Sequence, residues 1–374
     1  MKKYQPKNLI LTAGPSISEK EINYVRDAAQ NGWNENWSGY LNKFENKFSE
    51  IIETKFAMAT SSCTGAMHLS LLALGIGDGD EVIVPDLTWV ATASVIKYVG
   101  ANPVFVDVDE NTWTIDPNKI HEAITKRTKA IIPVHLYGQP SKMDDVMDIS
   151  KEYDLFVIED AAPAIGATSN GKCVGSFGDV GTFSFQGAKM VVTGEGGMLV
   201  TDDEKLYNKI QKVGDHGRSK THWHAFWIDE LGYKYKMSNL QAAFGLAQIE
   251  RIDELVNKKR QIFDWYNKRL DNIDGLKLNK EAQWAKSIYW MTSIYLKGKF
   301  DIDRDSLIHK LKEDLVDTRP VFPKISQYPL WDEYDNPIAQ SIGDNAMNLP
   351  SGHNLTEDQV DYICNCIRKH LGVF

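Results

Sequence analysis

A chain of 374 residues exceeds the size at which one hydrophobic core usually stops growing, so we expect a large domain and a smaller one. The net charge of -9 argues against a nucleic-acid partner, because phosphate contacts need surplus Lys and Arg. The four cysteines have no metal-site or disulfide spacing, and the chain has no signal-peptide core and no apolar run of membrane-spanning length, so we expect a cytoplasmic protein without a metal or a membrane partner.

Segments of strand type and helix type alternate between about residue 55 and residue 205. Short apolar runs with the composition of buried strands occupy 55–60, 80–85, 102–109, 129–138, 155–162, 181–186 and 196–203. Apolar residues at helical spacing lie between them at 64–75, 88–100, 118–128 and 143–153. This alternation predicts an α/β fold with a mostly parallel, seven-stranded sheet flanked by helices, whose ligands bind at the carboxyl ends of the strands.

The pattern changes after Ser238. Residues 238–273 form one helical pattern that is too long for an ordinary helix, so we expect a bend in it. From about residue 275, short strands mix with helices. We therefore predict a large domain over 1–250 and a smaller C-terminal α+β domain over 251–374.

The first unusual strand end is "TSSCTGAMH", residues 60–68. Here a strand ends and a helix begins among small residues. A hydroxyl of Ser62 or Thr64 capping the helix would explain the composition. A helix start of this kind is also an anion site, because its free N–H groups point outward. Both interpretations stay open on this segment alone.

The second is "VIEDAAPAIG", where Glu159 and Asp160 follow an apolar strand directly. A buried carboxylate needs a partner, since an unpaired buried charge is costly. The partner could be a helix cap or a salt bridge within the protein. It could also be the cation of a bound ligand.

The third is "FSFQGAKMVVTGEGG", which places Lys189 among small and apolar residues. Burial disfavours the charged form of a lysine, and the neutral amine is the nucleophile that forms a Schiff base with a carbonyl compound. The alternative is an ordinary surface lysine in a loop. Ser184, five residues earlier, could donate its hydroxyl to an anion.

One ligand would use all three loops, namely pyridoxal phosphate (PLP). Its aldehyde suits Lys189, its phosphate suits the helix start, and its ring nitrogen suits a carboxylate, for which we choose Asp160 over Glu159. Trp89, at a further strand end, could stack on the ring, although a place in the core is the commoner fate of a tryptophan. The chain has no P-loop and no dinucleotide fingerprint, which counts against a nicotinamide-dependent oxidoreductase.

These segments together resemble the DegT/DnrJ-type nucleotide-sugar aminotransferases, a branch of the fold-type-I PLP enzymes. The resemblance runs through nearly the whole chain, from "FENKF" past "VIEDAA" and "TGEGGMLVT" to "GYKYKMSNLQAAFGLAQ". Within the family, "DTRPVF" and "HLYGQP" look most like the GDP-perosamine synthase group. The resemblance implies an aspartate-aminotransferase-like fold and a PLP-dependent transaminase.

The resemblance also implies roles for individual residues. Lys189 matches the lysine that bonds to the cofactor and moves the proton, and Asp160 matches the partner of the ring nitrogen. The remaining positions match cofactor contacts of the family: Trp89 on the ring, and Cys63, Thr64 and Ser184 on the phosphate. Lys236 matches a position that reaches the phosphate from the neighbouring subunit, which implies a homodimer with shared active sites.

The expected reaction moves an amino group from glutamate to a nucleotide-linked 4-keto-6-deoxy sugar, such as GDP-4-keto-6-deoxymannose, for a surface polysaccharide. The candidate substrate contacts are Arg319, His216, Arg218 and Trp37. His216 and Arg218 lie in a segment, 214–227, that we expect to be a loop over the substrate. The alternative interpretation of Arg319, His216 and Arg218 is that each is a solvated charge in a loop, without a substrate contact.

Two departures from the family keep other functions open. Pro163 stands where the family often has a side chain that hydrogen-bonds the cofactor's ring hydroxyl, which proline cannot do. Asn34, Asn36 and Trp37 stand where small hydroxyl residues are common. The alternatives are therefore an aminotransferase for a small phosphorylated ketone and a non-catalytic, PLP-binding regulatory protein. Because Lys189 is present where sugar dehydratases have a histidine, transamination is favoured over dehydration.

Overall fold

The computed structural model of the chain describes residues 4–219, 221–224, 226–298 and 300–373. Within these ranges the α-helices are α1 (Glu19–Asn31), α2 (Gly39–Ile52), α3 (Cys63–Leu74), α4 (Ala91–Tyr98), α5 (Pro117–Ala123), α6 (Met143–Tyr153), α7 (Glu204–Gly214), α8 (Asn239–Ile249), α9 (Ile252–Leu270), α10 (Arg304–Glu313), α11 (Pro337–Asn345) and α12 (Glu357–Leu371). The strands in the same ranges are β1 (Phe56–Thr60), β2 (Glu81–Pro85), β3 (Asn102–Val106), β4 (Thr128–Ile131), β5 (Phe156–Asp160), β6 (Thr168–Ser169), β7 (Lys172–Cys173), β8 (Val180–Ser184), β9 (Gly197–Thr201), β10 (Leu276–Leu278), β11 (Ala285–Lys286), β12 (Ser293–Leu296), β13 (Arg319–Pro320) and β14 (Ala346–Asn348).

The main sheet has seven strands in the order β1-β9-β8-β5-β4-β2-β3. The pairs β2–β3, β2–β4, β4–β5 and β5–β8 are parallel, whereas β9 runs antiparallel to both β8 and β1. Every residue of β2, β8 and β9 is buried, as expected for strands covered by helices on both faces. The predicted seven-stranded, mostly parallel sheet is confirmed.

The topology brings the ends of several strands to one edge of the sheet. β5 and β8 are parallel neighbours in which Asp160 pairs with Thr182, so Asp160 and Ser184 lie close to that edge. α3 starts just after β1 and packs against the sheet. Its buried residues surround most of the helix, which explains its apolar composition.

The segment 129–138, predicted as one strand, is only partly extended. β4 ends at Ile131, and residues Leu136–Gly138 form a 3₁₀ turn with Tyr137 in the left-handed region at φ 53°. The buried side chain of His135 turns toward Glu159, at 3.0 Å. Pro133, which has no N–H to donate to a neighbouring strand, lies between the end of β4 and this turn.

The predicted bend in 238–273 is a break between two helices. α8 ends at Ile249, and α9 begins at Ile252 with Arg251 in a non-helical conformation. The guanidinium of Arg251 pairs with the buried carboxylate of Glu21 at 2.6 Å and with Glu254 at 2.7 Å. An ion pair with α1 therefore fixes the position of the break.

A smaller sheet, in the order β10-β12-β14-β13, lies in the C-terminal part of the chain. It packs with α9, α10 and α12 around a second hydrophobic core, which also includes Ile10 from the N-terminal segment. α9 belongs to both cores, because Leu255 packs into the core of the main sheet and Phe263 into the C-terminal one. The boundary near residue 250 stays a prediction.

None of the helices described is both long and apolar enough to cross a membrane.

Candidate active site

A cavity of about 550 Å³ opens at the carboxyl ends of β5 and β8 and extends to strands of the C-terminal sheet. Seven of the eleven residues predicted for the site line it: Cys63, Thr64, Trp89, Asp160, Ser184, Lys189 and Arg319. These residues come from six separate loops and strand ends. The structure therefore brings together the three unusual segments, Trp89 and one of the predicted substrate contacts.

The two adjacent carboxylates after β5 have different environments. Glu159 is fully buried and accepts hydrogen bonds from the backbone N–H groups of Gly175, Phe177 and Gly178 and from Nε2 of His135. Asp160 lines the cavity, and its two oxygens accept one bond each, from Oγ1 of Thr92 at 2.7 Å and from N–H of Ala162 at 3.1 Å.

Glu159 therefore has its partners inside the protein, whereas Asp160 retains acceptor capacity toward the cavity. The geometry agrees with the choice of Asp160 over Glu159 as the carboxylate that faces a ligand. His135 accepts from the N–H of Ser141 at Nδ1, so its proton is on Nε2 and is donated to Glu159. These hydrogen bonds hold Glu159 in place at the end of β5, next to Asp160.

Lys189 lies in the loop between β8 and β9, and its half-buried side chain enters the cavity. Burial lowers the pKa of its amine to about 8, while the charges of Asp160 and Cys63 act in the opposite direction. Its Nζ is 3.9 Å from the ring centroid of Trp290, whose Nε1 donates to the carbonyl of Ala188 at 2.9 Å. This amine therefore loses its proton more readily than that of an exposed lysine.

The start of α3 lines the cavity together with Asp160 and Lys189. Oγ of Ser62 accepts from the N–H of Gly65 at 3.0 Å, so Ser62 is the helix cap. The N–H groups of Cys63 and Thr64, in the first turn, cannot bond within the helix. Burial raises the pKa of the Cys63 thiol well above its usual value, so this residue is neutral and adds no negative charge. The helix start can therefore hold an anion.

An aromatic wall, which we define as Trp89, Phe322, Tyr137 and Trp290, lines the cavity. The ring centroids of consecutive members are 5.7, 5.5 and 5.8 Å apart. Trp89 is 58% exposed, so its face is available to a planar ligand. Sequence reasoning missed the other three and Thr92. Only Thr92 had a local signal, since it lies three residues after Trp89 in the same segment.

The other four predicted residues do not line the cavity as far as the structure describes the chain. Nζ of Lys236 lies 4.0 Å from the ring centroid of Trp37, so these two residues contact each other. His216 and Arg218 are exposed, in a segment whose described part pairs with residues 228–234. Their roles stay predictions. Pro163 does line the cavity.

Comparison with known proteins connects this geometry to a family. A model of the DegT/DnrJ/EryC1/StrS aminotransferase family matches residues 15–368. The chain belongs to this family. The aminotransferase is 43% identical to the GDP-perosamine synthase of Escherichia coli O157:H7 over 95% of this chain and 96% of that protein. It is 37% identical to the spore coat polysaccharide biosynthesis protein SpsC of Bacillus subtilis, over 95% of each.

Solved structures agree with this assignment. A putative sugar aminotransferase from Streptococcus pneumoniae, in its PMP form, superposes with a TM-score of 0.92 at 28% identity, over 97% of this chain and 98% of that one. The same protein is also known in a PLP form, with a TM-score of 0.91. The predicted family, the aspartate-aminotransferase-like fold and the enzyme class are confirmed, and PLP is confirmed as the cofactor of the family.

The residues of this aminotransferase fit that cofactor. Asp160 offers a carboxylate to a protonated ring nitrogen, Lys189 an amine to an aldehyde, and the start of α3 its N–H groups to a phosphate. The backbone of β9 passes close to the start of α3 at Gly197, where a Cβ would lie 2.4 Å from the nitrogen of Cys63. Among the described residues, no group of three or more His, Cys, Asp or Glu is placed to hold a metal ion.

Proposed function

We propose that this aminotransferase transfers an amino group from glutamate to a nucleotide-linked 4-keto-6-deoxy sugar, such as GDP-4-keto-6-deoxymannose, in the biosynthesis of a surface polysaccharide. The observation that carries the proposal is that Lys189, Asp160 and the start of α3 share one cavity with Arg319 of the C-terminal sheet. The names of the E. coli and B. subtilis relatives support a sugar acceptor and a polysaccharide product.

When bound, PLP supplies an aldehyde and a cationic ring that draws electrons from the bond being broken. Asp160 keeps the ring nitrogen protonated, and Thr92 and Ala162 fix the orientation of its carboxylate. The N–H groups of Cys63 and Thr64 and the hydroxyl of Ser184 would hold the phosphate. Trp89 would stack against the ring.

Lys189 acts as the general base and acid. In the first half of the reaction its Nζ would take a proton from the α-carbon of glutamate and pass it to the cofactor, and in the second half it would take a proton back from the cofactor and give it to the sugar carbon that carried the ketone. Burial lowers the pKa of the free Lys189 amine to about 8, which favours this role because the amine gains and loses a proton more readily than an exposed lysine.

Arg319 binds oxygens of the acceptor. Its guanidinium is exposed, and its nearest carboxylate is Asp317 at 3.8 Å, which is too long for a tight bidentate pair. Asp317 is itself occupied by the hydroxyl and N–H of Thr12. The planar fork of Arg319 is therefore free to take two oxygens of a phosphate or a sugar.

We further propose that the enzyme is a homodimer in which Lys236 reaches the phosphate in the partner's active site. Lys236 does not line the cavity of its own subunit as the structure describes it, but it lies near Arg218 and contacts Trp37. The neighbouring segment exposes Trp223, Phe226 and Leu231, by 79 to 87%. Large exposed apolar side chains of this kind mark contact surfaces. Light scattering should give a mass of about twice 42.3 kDa.

The acceptor is tested with a panel and a mass measurement. Purified protein, PLP and glutamate are incubated with GDP-4-keto-6-deoxymannose, with other nucleotide-linked 4-keto-6-deoxy sugars, and with small phosphorylated ketones. We expect a nucleotide-linked sugar to gain an amine in place of its ketone. Amination of the small ketones alone would support the second acceptor class, and bound cofactor without any transfer would support a regulatory protein.

Lys189→Ala is the matched variant for this experiment. It should keep its thermal unfolding midpoint and lose turnover by several orders of magnitude, because both proton transfers pass through Nζ. Normal turnover in Lys189→Ala would overturn the proposed mechanism.

A further inference from the structure

Tyr137 is held in an unusual conformation at the edge of the cavity. Its backbone is in the left-handed region at φ 53°, which a residue with a Cβ adopts only when its surroundings impose it. Its ring is 2% exposed and stacks between Phe322, at 5.5 Å and 15°, and Trp290, at 5.8 Å and 30°. The ring is therefore packed between two aromatic neighbours and shielded from solvent.

The hydroxyl of Tyr137 accepts two hydrogen bonds. The donors are the backbone N–H of Phe322 and Nδ2 of Asn348, both at 3.3 Å. The orientation of the Asn348 amide is set by Oγ of Ser293, which donates to Oδ1 at 2.7 Å. Nδ2 must therefore face the tyrosine.

This arrangement leaves one group without a partner. A phenol oxygen has two lone pairs and one proton, and both lone pairs are in use. The O–H proton has no acceptor among the residues that the structure describes. Leaving a buried donor unpaired is costly, so an acceptor from outside the protein is expected at this O–H. Burial raises the pKa of Tyr137 to about 12, and the group remains a donor at neutral pH.

The hydroxyl lies where substrate, and not cofactor, is expected. Its donors Phe322 and Asn348 line the same cavity and come from the C-terminal part of the chain, where Arg319 pairs with Asn348 across β13 and β14. The groups that fit PLP come instead from the main sheet. A neutral O–H suits a hydroxyl or carbonyl oxygen, whereas a carboxylate such as that of glutamate favours a cation.

We propose that Tyr137 is a specificity-determining residue whose O–H donates a hydrogen bond to an oxygen of the keto sugar. The proposal rests on the proposed function, and it assigns to the sugar a contact that glutamate does not use. A site built to hydrogen-bond a substrate oxygen discriminates strongly when either partner of the bond is removed.

Tyr137→Phe tests the proposal, because it keeps the stacked ring and removes only the hydroxyl. The two half-reactions are followed separately by the absorbance of the bound cofactor. We expect the half-reaction with glutamate to be unchanged within about 2-fold, and the KM for GDP-4-keto-6-deoxymannose to rise about 10- to 100-fold. In calorimetry on cofactor-free protein, the keto sugar nucleotide should bind more weakly by a similar factor, and GDP alone should bind as before.

Tyr266→Phe is the matched control. Tyr266 is fully buried in the C-terminal core, and its hydroxyl donates to the carbonyl of Pro350 at 2.9 Å. The change removes the same atom and one hydrogen bond, so it reports the cost of a lost buried hydroxyl away from the cavity. Neither half-reaction should change beyond about 2-fold, since no group of the site contacts this tyrosine.

Three outcomes overturn the proposal. If wild type aminates the sugar and Tyr137→Phe does so with the same KM, the contact does not exist and the proposed function stands. If Tyr137→Phe slows both half-reactions equally, the tyrosine has a structural role only. If wild type aminates no keto sugar in the panel, the proposed function fails and the inference fails with it.

Discussion

Lys189 and Lys259 both have a pKa that burial lowers, and their surroundings give them different uses. Lys189 enters a cavity beside Asp160, so its amine can meet a ligand. Lys259, on α9, is buried without access to the cavity lining, and its Nζ donates to the carbonyls of Trp290 and Ser351. Burial lowers the pKa of Lys259 to about 7, and no carboxylate among the described residues pairs with it. It therefore anchors the backbone of Trp290, whose ring contacts Lys189.

The buried amine of Lys259 should make stability depend on pH. Between pH 7 and about 10.5 the unfolded chain binds a proton at Lys259 that the folded chain does not. The free energy of unfolding of wild type therefore rises with pH in this range, by up to about 1.4 kcal/mol per pH unit from this group. Burial lowers the pKa of the neighbouring His353 to about 3, so His353 adds to the rise only up to about pH 7.5, where the unfolded imidazole has become neutral.

Lys259→Met should flatten that rise in urea unfolding curves measured from pH 6 to 9.5 on cofactor-free protein. The contribution of Lys189 is present in both proteins and cancels in the difference. Lys268→Met, an exposed change on the same helix, is the control and should leave the slope as in wild type. A Lys259→Met protein with the wild-type slope would mean that Lys259 stays charged in the folded chain.

At the scale of elements, the site depends on how closely β9 passes the start of α3. A Cβ at Gly197 would lie 2.4 Å from the nitrogen of Cys63 and from the carbonyl carbon of Ser62. Since these are backbone atoms, an added methyl group must move the strand or the helix. The N–H groups proposed to hold the phosphate would move with the helix.

Gly197→Ala should therefore weaken PLP binding by about 10-fold or more, because the phosphate contacts lose their geometry. Equilibrium dialysis on the folded protein measures the dissociation constant, and circular dichroism reports whether the fold is kept. Gly39→Ala is the control, since a Cβ at the start of α2 meets nothing within 4 Å. Equal affinity in Gly197→Ala and Gly39→Ala would show that the close approach does not shape the site.

Local sequence patterns were sufficient to predict the main sheet and the loops at its edge. Asp160, Ser184 and Lys189 were found because each follows a recognisable apolar strand. Trp290 could not be found in this way. It lies in the C-terminal part of the chain and lines the cavity only because that part packs against the main sheet. Tyr137 lay in a segment predicted as strand, and its left-handed turn depends on ring contacts far along the chain. The break before α9 depends on Glu21, which is equally distant in sequence.

At the scale of the whole molecule, buried aspartates tie the C-terminal part to the main sheet. Asp86, after β2, accepts from N–H and Oγ of Ser326 and from Nδ2 of Asn336. Asp107, after β3, accepts from the N–H groups of Ile338 and Ala339 at the start of α11. The cavity lies between parts joined in this way, so Tyr137 and Arg319 keep a fixed relation to Asp160. Lys236 alone among the proposed cofactor contacts remains outside this arrangement.

Mixing two inactive variants tests whether Lys236 serves the partner's site. Lys189→Ala lacks the proton carrier, and Lys236→Ala should lose PLP affinity and most activity, because a phosphate contact is missing. In a mixed dimer, the site with Lys189 of one subunit and Lys236 of the other is intact, and the second site lacks both. Random reassociation of equal amounts makes half the dimers mixed, so we expect about a quarter of wild-type activity to return. If Lys236 acted within its own subunit, each site of the mixed dimer would lack one lysine, and mixing would restore nothing.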